Sequence, residues 1–407
     1  MGSADDDLDI PSWLDTEFLR NIKLSADKES NLTIKKFYIK PAVPKGENFL
    51  GTLYRVEVEY AHENGSFFHK YFIIKTMPNT AATKEYLSQI KAFSKEAFIY
   101  ESVFPKLNSI MKSTERDVSQ FSAFQYKTDR PETIVLEDLK YLGYKMADRL
   151  KGLDLNHCVA TLRKLARFHA LSRKLYTTNP EVNKVLMDGF FMKSDGNYKL
   201  LQPFFKSKFT DLASEIGKWP TFEYYAEKIR GLSDNSYSIF IDSVTPTETS
   251  YNVLNDGDFW VNNIMFKYHP DTGEIEDVRF VDFQLSGISS PSLDLQHFIN
   301  TSAADELGFE EREMLLRVYY EEFVKTAEDL NINSDVLSLS QLERDFEDKN
   351  LFGFIICCAD LSDILAGSSN SLNNIHSENS DSNIDRRKRF REVFKLVLAY
   401  YGKKGVI

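Results

Sequence analysis

Three polar side chains within residues 253–284 have the types and the spacing needed for chemistry on a phosphate. Asp258 and Asn263 are separated by four residues, and Asp282 follows after a stretch long enough for a β-hairpin. Mg²⁺ takes hard oxygen ligands, usually one or two carboxylates together with substrate phosphates. A hydroxyl nucleophile needs a carboxylate within hydrogen-bond distance. The triplet could therefore hold Mg²⁺ through Asn263 and Asp282, while Asp258 takes or orients the proton of a hydroxyl group.

Apolar runs on both sides of a turn must position this triplet. Ile264-Met265-Phe266 and Val278 to Val281 have strand character, and residues 269–273 join them as a hairpin. Asn263, just before the first strand, and Asp282, just after the second, then lie on the same side of one β-ribbon. The alternative is that these Asp and Asn residues, next to Gly257 and Gly273, are only turn formers.

A lysine and a glutamate earlier in the chain favour the catalytic interpretation. Lys75 stands at the apolar end of a predicted strand, where an ammonium group needs a partner. Glu96 lies on the helix predicted next, over residues 84–107. In kinases such a pair holds the α- and β-phosphates of ATP; alternatively, Glu96 lies on a solvated helix face. Alternating polar and apolar residues predict the strands at Thr33–Lys40, Leu50–Tyr60 and Phe67–Met77.

Two further stretches are candidates for nucleotide binding. Gly46 and Gly51 lie in the turn between the first two strands and could cover phosphates with backbone amides. The same turn would also serve as an ordinary hairpin. Strands predicted at 119–127 and 133–137 complete a five-stranded sheet. The last strand runs into Glu137, Asp138 and Leu139, a hinge whose backbone could meet the edge of an adenine.

The rest of the chain is predicted to be helical. Residues 155–175 have helical spacing, and we interpret His169 as a hydrogen-bonded core histidine. Ser290-Pro291 starts another helix, on which Asp294 is interpreted as a brace for the catalytic loop. Aromatic residues in 176–250 belong to the core or wall a substrate pocket. Helices follow near 308–328, 340–366 and 385–401, with a mobile loop predicted at Gly367–Asp385.

Composition excludes several other classes of function. The net charge of −11 argues against a nucleic-acid partner. The chain lacks an apolar run of about 18 residues, so no membrane span is expected, and its acidic N-terminus is not a signal peptide. The cysteines are Cys158, Cys357 and Cys358, which provide no disulfide framework. This usage is typical of a reducing cytosol and predicts a cytoplasmic protein.

Taken together, these residues resemble the ecdysteroid kinase-like family (CHK kinase-like), which is numerous in insects and related to choline kinases and aminoglycoside phosphotransferases. The resemblance runs from about residue 30 to 400. Its most specific blocks are residues 257–266 and 281–284, followed by Ser290-Pro291 and Asp294-Leu295.

The resemblance implies a bilobal, protein-kinase-like α+β fold. Residues 1–30 would be an N-terminal extension. Residues 31–138 would form a nucleotide-binding lobe with a five-stranded antiparallel sheet and one helix, and 139–407 a larger, mainly helical lobe. The implied activity is phosphorylation, with ATP and Mg²⁺, of a hydroxyl on a small, partly apolar metabolite such as an ecdysteroid, another steroid or a xenobiotic alcohol.

One position departs from the family pattern. The loop usually reads His-Gly-Asp, whereas Asp256 stands before Gly257 here. We interpret Asp256 as a structural substitute, so that Asp256→His should keep or raise turnover. The alternative function is a pseudokinase that binds nucleotide or ligand without turnover. A protein kinase is disfavoured by Gln284, which replaces the glycine of D-F-G, and by the absence of an Ala-Pro-Glu segment downstream.

Overall fold

The structure is a computed structural model that describes residues 10–22, 32–43, 51–62, 64–78, 81–112, 120–188, 193–247, 250–332, 336–366 and 381–407. The chain divides into two compact units. The first unit contains Met1–Ser88 and Ser122–Lys145, and the second contains Gln89–Phe121 and Met146–Ile407. The helix bearing Glu96 thus belongs to the second unit, and the predicted lobe boundaries stay a prediction.

The first unit contains α1 (Thr16–Asn21), β1 (Thr33–Pro41), β2 (Thr52–Ala61), β3 (Phe67–Thr76), β4 (Gln125–Tyr126) and β5 (Thr133–Glu137). The strands form a five-stranded antiparallel sheet in the order β1-β2-β3-β5-β4. On β2, residues such as Val56 and Val58 alternate with less buried ones, and they pack with Phe72 of β3 against Leu19 of α1.

The sheet confirms the number and the positions of the predicted strands. Gly65 has a φ of +81° in the β2–β3 turn, the left-handed conformation that the Asn64-Gly65 pair favours. The strand predicted over 119–127 is correct only at Gln125–Tyr126 among the described residues. The predicted glycine turn covers residues 44–52. Gly46 and the rest of 44–50 lie outside the described residues, whereas Gly51 and Thr52 are described.

Helices dominate the second unit, while α2 (Ala81–Gln89) and β6 (Tyr144–Met146) cross from one unit to the other along the chain. In order, the second unit contains α3 (Ala92–Phe98), a π-helical turn (Ile99–Val103), α4 (Phe104–Lys112), α5 (Leu155–Thr178), α6 (Pro180–Leu186), α7 (Asp195–Ile216), α8 (Glu223–Leu232), α9 (Ser236–Val244), β7 (Val253–Asn255), β8 (Ile264–Tyr268), β9 (Ile275–Phe280), β10 (Gly287–Ser289), α10 (Ser292–Thr301), α11 (Phe309–Asp329), α12 (Leu339–Asp348), α13 (Asn350–Ile356), a second π-helical turn (Cys357–Leu361), α14 (Ser362–Ala366) and α15 (Asp381–Lys403).

Two helix predictions need correction. The single helix predicted over 84–107 is interrupted, because Lys91 adopts a left-handed φ of 55° and the chain then restarts as α3. The loop predicted at 367–385 is wrong for its last residues, since α15 already begins at Asp381. Residues 367–380 lie outside the described part of the chain.

The long helix α5 supports the loop where the candidate site begins. Its buried face, including Leu162, Leu165 and Phe168, packs against α11 and β7. The backbone N–H of Leu254 on β7 donates to Ser172 Oγ at 2.9 Å, which ties the strand to the helix. A strand bonded to a packed helix gives the following loop a fixed starting point.

Two predictions from composition can be compared with the structure. The thiols of Cys158, Cys357 and Cys358 are free and buried, as expected, and burial raises the pKa of Cys158 and of Cys357 to about 12. Within the described ranges, no helix is long and apolar enough to cross a membrane.

Two helical glycines provide a matched test of packing in the second unit. A Cβ atom at Gly353 would overlap Gln296 Oε1 and Tyr401 Oη, whereas at Gly231 nothing lies within 4 Å. We expect Gly353→Ala to lower the free energy of unfolding by about 1–3 kcal/mol through overpacking. Gly231→Ala should be neutral or stabilising by up to about 1 kcal/mol. Urea unfolding of both variants measures this, and equal stabilities would contradict it.

Candidate active site

The candidate site begins where β7 ends and the chain turns sharply. β7 pairs with β10, so that Asn255 lies opposite Gly287. The Asn255 side chain is fully buried; its Nδ2 donates to Ser289 O at 3.1 Å and its Oδ1 accepts from the backbone N–H of Asp294 at 3.3 Å. Gly257 then takes a φ of +87°, which a residue with a side chain rarely adopts. These bonds fix both the position and the direction of the loop.

The Asp294 carboxylate braces this loop from the first turn of α10. Its Oδ2 accepts the backbone N–H of Asp256 at 2.8 Å, and its Oδ1 accepts that of Gly257 at 3.0 Å. His169 Nε2 lies 3.2 Å from Oδ2, and His169 Nδ1 lies 2.8 Å from the Tyr319 hydroxyl. The structure thus shows the predicted brace at Asp294, and His169 is the buried, hydrogen-bonded histidine that was predicted.

The structure brings Asp258, Asn263 and Asp282 together. Asn263 Nδ2 donates to Asp258 O at 2.8 Å and to Asp258 Oδ2 at 3.0 Å. β8 and β9 pair as the predicted hairpin, and the backbone N–H of Val281 donates to Asn263 O at 2.9 Å, next to Asp282. Asp282 itself has a left-handed φ of 69°, a strained conformation of the kind found at functional sites.

Hydrogen bonding decides which Asn263 atom can bind a metal. Because its Nδ2 is directed at two oxygens of Asp258, its Oδ1 is the amide atom that can act as a ligand. Amide and carboxylate oxygens are suitable for Mg²⁺, so Asn263 Oδ1 and Asp282 fit a magnesium ion that is completed by phosphates. In the described part of the chain, no group of three His, Cys, Asp or Glu residues could hold a metal. That leaves a site of one carboxylate and one amide.

Crowding of carboxylates changes the electrostatics of the loop. Burial, and then the charge of Asp282, raise the pKa of Asp258 to about 7. Burial, followed by the charges of Asp294 and Asp258, raises the pKa of Asp256 well above its usual range. Asp256 Oδ1 accepts the backbone N–H of Asp258 at 3.2 Å, and Oδ2 has no partner among the described residues. A neutral Asp256 that supports the Asp258 backbone is consistent with the structural role predicted for it.

Sequence analysis missed two groups beside Asp258. His297 Nε2 lies 4.0 Å from Asp258 Oδ1 and 3.5 Å from Asp360 Oδ2. His297 follows Asp294 by three residues, so the helical spacing places both on one face of α10, a signal that could have identified it. Nothing local marks Asp360, which lies about 100 residues from Asp258 along the chain.

The nucleotide-binding candidates of the first unit have structural partners of their own. Lys75 is only 3% exposed, and a Cβ at Gly51 would approach its Cε within 3.2 Å, so glycine leaves room for the lysine stem. Asp138 bonds Arg55 through its side chain and Tyr71 O through its backbone N–H. Asp138 thus has structural partners within the first unit, and the hinge and nucleotide contact predicted there stay predictions.

Glu137 and Leu139, on either side of Asp138, also form hydrogen bonds within the first unit. Glu137 Oε1 accepts the Phe124 N–H at 2.8 Å, and the Leu139 carbonyl accepts from Leu142 and Tyr144. The predicted contact of this backbone with an adenine edge stays a prediction.

Glu96 is 1% exposed on α3, so its alternative interpretation as a solvated residue is wrong. α3 packs against the 3₁₀ turn that follows Asp282 within the second unit. The predicted Lys75–Glu96 pair joins residues of two units and stays a prediction.

Comparison with solved structures identifies the class of fold. The choline kinase of Cryptosporidium parvum Iowa II aligns with a TM-score of 0.50 and 11% identity over 97% of this chain and 98% of that chain. An ethanolamine kinase of Plasmodium vivax aligns at 0.40, with 12% identity over 88% and 82% of the two chains. A spectinomycin phosphotransferase in complex with ADP and spectinomycin aligns at 0.39, with 11% identity over 88% and 89%. The first alignment confirms the predicted kinase-like α+β fold.

The sequence identifies the family within this class. A sequence model of the ecdysteroid kinase-like family matches residues 45–332, and the chain belongs to that family. The resemblance predicted from the motifs is therefore confirmed. No curated protein matches the chain. Membership of this family supports a small-molecule phosphotransferase.

Asp256 predicts a pH-dependent stability. Because its pKa is raised on folding from the ordinary value of about 3.9, the folded state retains a proton that the unfolded state loses. The free energy of unfolding should therefore fall as pH rises above about 4, until the pKa of the folded state is passed. Asp256→Asn removes this effect, so its melting temperature should fall less than that of wild type between pH 5 and pH 8. Asp271→Asn, in the exposed hairpin turn, is the control; equal pH slopes for all three proteins would contradict the prediction.

The Asp294 brace predicts a large loss of stability. Asp294→Asn replaces an acceptor of several bonds with a group whose NH₂ faces donors. We expect a loss of about 2–4 kcal/mol in the free energy of unfolding. The matched variant is Asp305→Asn, which breaks a surface pair with Arg389 and should cost about 1 kcal/mol or less. Denaturant titration measures both, and a similar loss in the two variants would show that Asp294 is no brace.

Proposed function

We propose that the protein transfers the γ-phosphoryl group of ATP, with Mg²⁺, to a hydroxyl group of a small, partly apolar metabolite. The observation that carries this proposal is the fixed arrangement of Asp258, Asn263 and Asp282 in one loop and hairpin. An ecdysteroid, another steroid or a xenobiotic alcohol is the proposed acceptor, in keeping with the family.

Asp258 is the proposed base or hydroxyl-orienting group. A pKa of about 7 lies near a neutral working pH, where a carboxylate both exists in the basic form and accepts a proton readily. Its side chain is 28% exposed, so a hydroxyl can approach it. The Asn263 bond to Oδ2 holds that oxygen and leaves Oδ1 facing His297.

Asn263 and Asp282 are the proposed magnesium ligands. The ion, when bound, neutralises charge that develops on the phosphates. The protein contributes rigidity: Asn263 is fixed by its bonds to Asp258, and Asp282 by the register of β8 and β9. Lys75, with Glu96 fixing it, is proposed to hold the α- and β-phosphates.

The proposed roles predict which variants lose turnover. With ATP, Mg²⁺ and a panel of steroid and plant-derived alcohols, wild type should form phosphorylated product. Asp258→Asn should slow turnover roughly 10²- to 10⁴-fold, the usual contribution of a general base. Asp282→Ala should lower it at least as much, because it removes the charge that the metal needs. Mass spectrometry of the acceptor identifies the product and its rate of formation.

Asp271→Ala is the matched control, because it removes a carboxylate from the exposed turn of the same hairpin and should leave turnover unchanged. Nucleotide binding without any phosphorylated product from the panel would favour the pseudokinase instead. Phosphate appearing on protein substrates would favour a protein kinase.

A further inference from the structure

His297 is a buried side chain that points at two carboxylates without a hydrogen bond of its own. Its side chain is 4% exposed, and neither ring nitrogen has a hydrogen-bond partner among the described residues. Burial lowers the pKa of His297 to about 4, so the ring is neutral near pH 7. Buried polar groups in proteins usually form hydrogen bonds. A bound molecule can supply the hydrogen bond that the His297 ring lacks among the described residues.

Asp360 is the second carboxylate beside His297. Its side chain is 40% exposed, and its Oδ2 is 3.5 Å from His297 Nε2. The Asp258 Oδ1 is 4.0 Å from the same nitrogen, which limits the separation of the two carboxylate oxygens to about 7.5 Å at most. Asp360 belongs to the π-helical turn Cys357–Leu361, a distortion that frequently marks functional sites.

The helix beside this turn provides a cationic partner for a second carboxylate. α7 packs against the π-helical turn and carries Phe204, which is 50% exposed. Lys208, one turn further along α7, bonds Asp363 and lies 5.4 Å from the Phe204 ring. Asp363 thus has a cationic partner in Lys208, whereas Asp360 faces the neutral His297.

We propose that Asp360 and His297 form a second polar subsite for the acceptor, which holds a hydroxyl group close to the hydroxyl that Asp258 orients. This inference rests on the proposed function of Asp258. Because both carboxylates lie within 4.0 Å of one nitrogen of His297, an acceptor with two hydroxyls a few carbons apart can bond both. The acceptor class is therefore a diol rather than a lone alcohol.

The state of Asp360 favours a hydroxyl over an ammonium group. Burial, followed by the charge of Asp258, raises the pKa of Asp360 to about 8, which favours its protonated form near pH 7. A protonated carboxyl both donates and accepts hydrogen bonds, as a hydroxyl does. An ammonium group only donates and would require the charged form of Asp360.

The test compares three steroid probes that differ at one carbon: a 2,3-dihydroxy steroid, its 2-deoxy analogue and its 2-amino analogue. For wild type, kcat/KM should be roughly 10- to 100-fold higher for the diol than for the deoxy analogue. Asp360→Ala should remove this preference through KM, so that kcat/KM for the two probes differs by less than about threefold. Asp360→Asn, a neutral donor and acceptor, should keep the preference within about threefold.

Asp363→Ala is the matched control, because it removes a carboxylate one turn along the chain that Lys208 already pairs. It should retain the preference for the diol. Equal behaviour of Asp360→Ala and Asp363→Ala would overturn the proposal. So would a preference for the 2-amino probe that is lost in Asp360→Asn, because Asp360 would then bind a cation.

A second measurement separates this subsite from phosphoryl transfer. The ring nitrogens of His297, assigned with His297→Gln, are followed by ¹⁵N NMR while the diol is added without nucleotide. Saturable shifts in wild type and Asp360→Asn, but not in Asp360→Ala, are expected. Such shifts without phosphorylated product would support the subsite and contradict the proposed function. The absence of shifts in wild type would overturn the subsite whatever the activity.

Discussion

The catalytic loop depends on one buried carboxylate. Asp294 accepts two consecutive backbone N–H groups, those of Asp256 and Gly257, and it contacts His169 as well. A buried carboxylate is tolerated only when hydrogen bonds replace its hydration. The same bonds hold a loop whose left-handed glycine would otherwise leave the chain many conformations. The hydrogen bonds that compensate the buried Asp294 carboxylate are therefore the same bonds that order the loop. His169 links Asp294 in turn to the Tyr319 hydroxyl on α11.

This brace explains how the chain can carry Asp256 where relatives usually have histidine. The loop backbone is held from the Asp294 side, so the side chain at 256 has only to accept the N–H of Asp258. A carboxyl does so with one oxygen. Full burial, followed by the charges of Asp294 and Asp258, raises its pKa and so favours the protonated form. The substitution changes the electrostatics of the loop more than its geometry.

Crowding of carboxylates also raises the pKa of two neighbouring groups, Asp258 and Asp360. Asp282 raises the pKa of Asp258 from the side on which we propose magnesium. Asp258 in turn raises the pKa of Asp360, and His297 Nε2 lies within 4.0 Å of both carboxylates. A cation near Asp282 would relieve the first repulsion and favour ionised Asp258. Both proposals therefore involve the same carboxylate, Asp258, whose Oδ2 is held by Asn263.

Much of this architecture could be predicted from the sequence, because it depends on local patterns. Alternation predicted strands of the sheet, helical spacing predicted α5, Ser and Pro start signals predicted α10, and turn residues predicted the β8–β9 hairpin that joins Asn263 to Asp282. The left-handed Lys91 that divides the helix predicted over 84–107 could not be predicted, because a lysine rarely adopts a positive φ.

The partners across the site were decided by tertiary structure alone. Asp256 and Asp294 are 38 positions apart along the chain, and His169 and Asp294 are 125 positions apart. Residue type and spacing gave Asp258, Asn263 and Asp282 their predicted chemistry, since these lie on one short ribbon. They gave no sign of Asp360, whose position beside His297 depends on how a distorted helical turn packs against α10. A contact between segments that are distant in sequence produces no periodic pattern of residues in either segment. Only the folded structure therefore shows it.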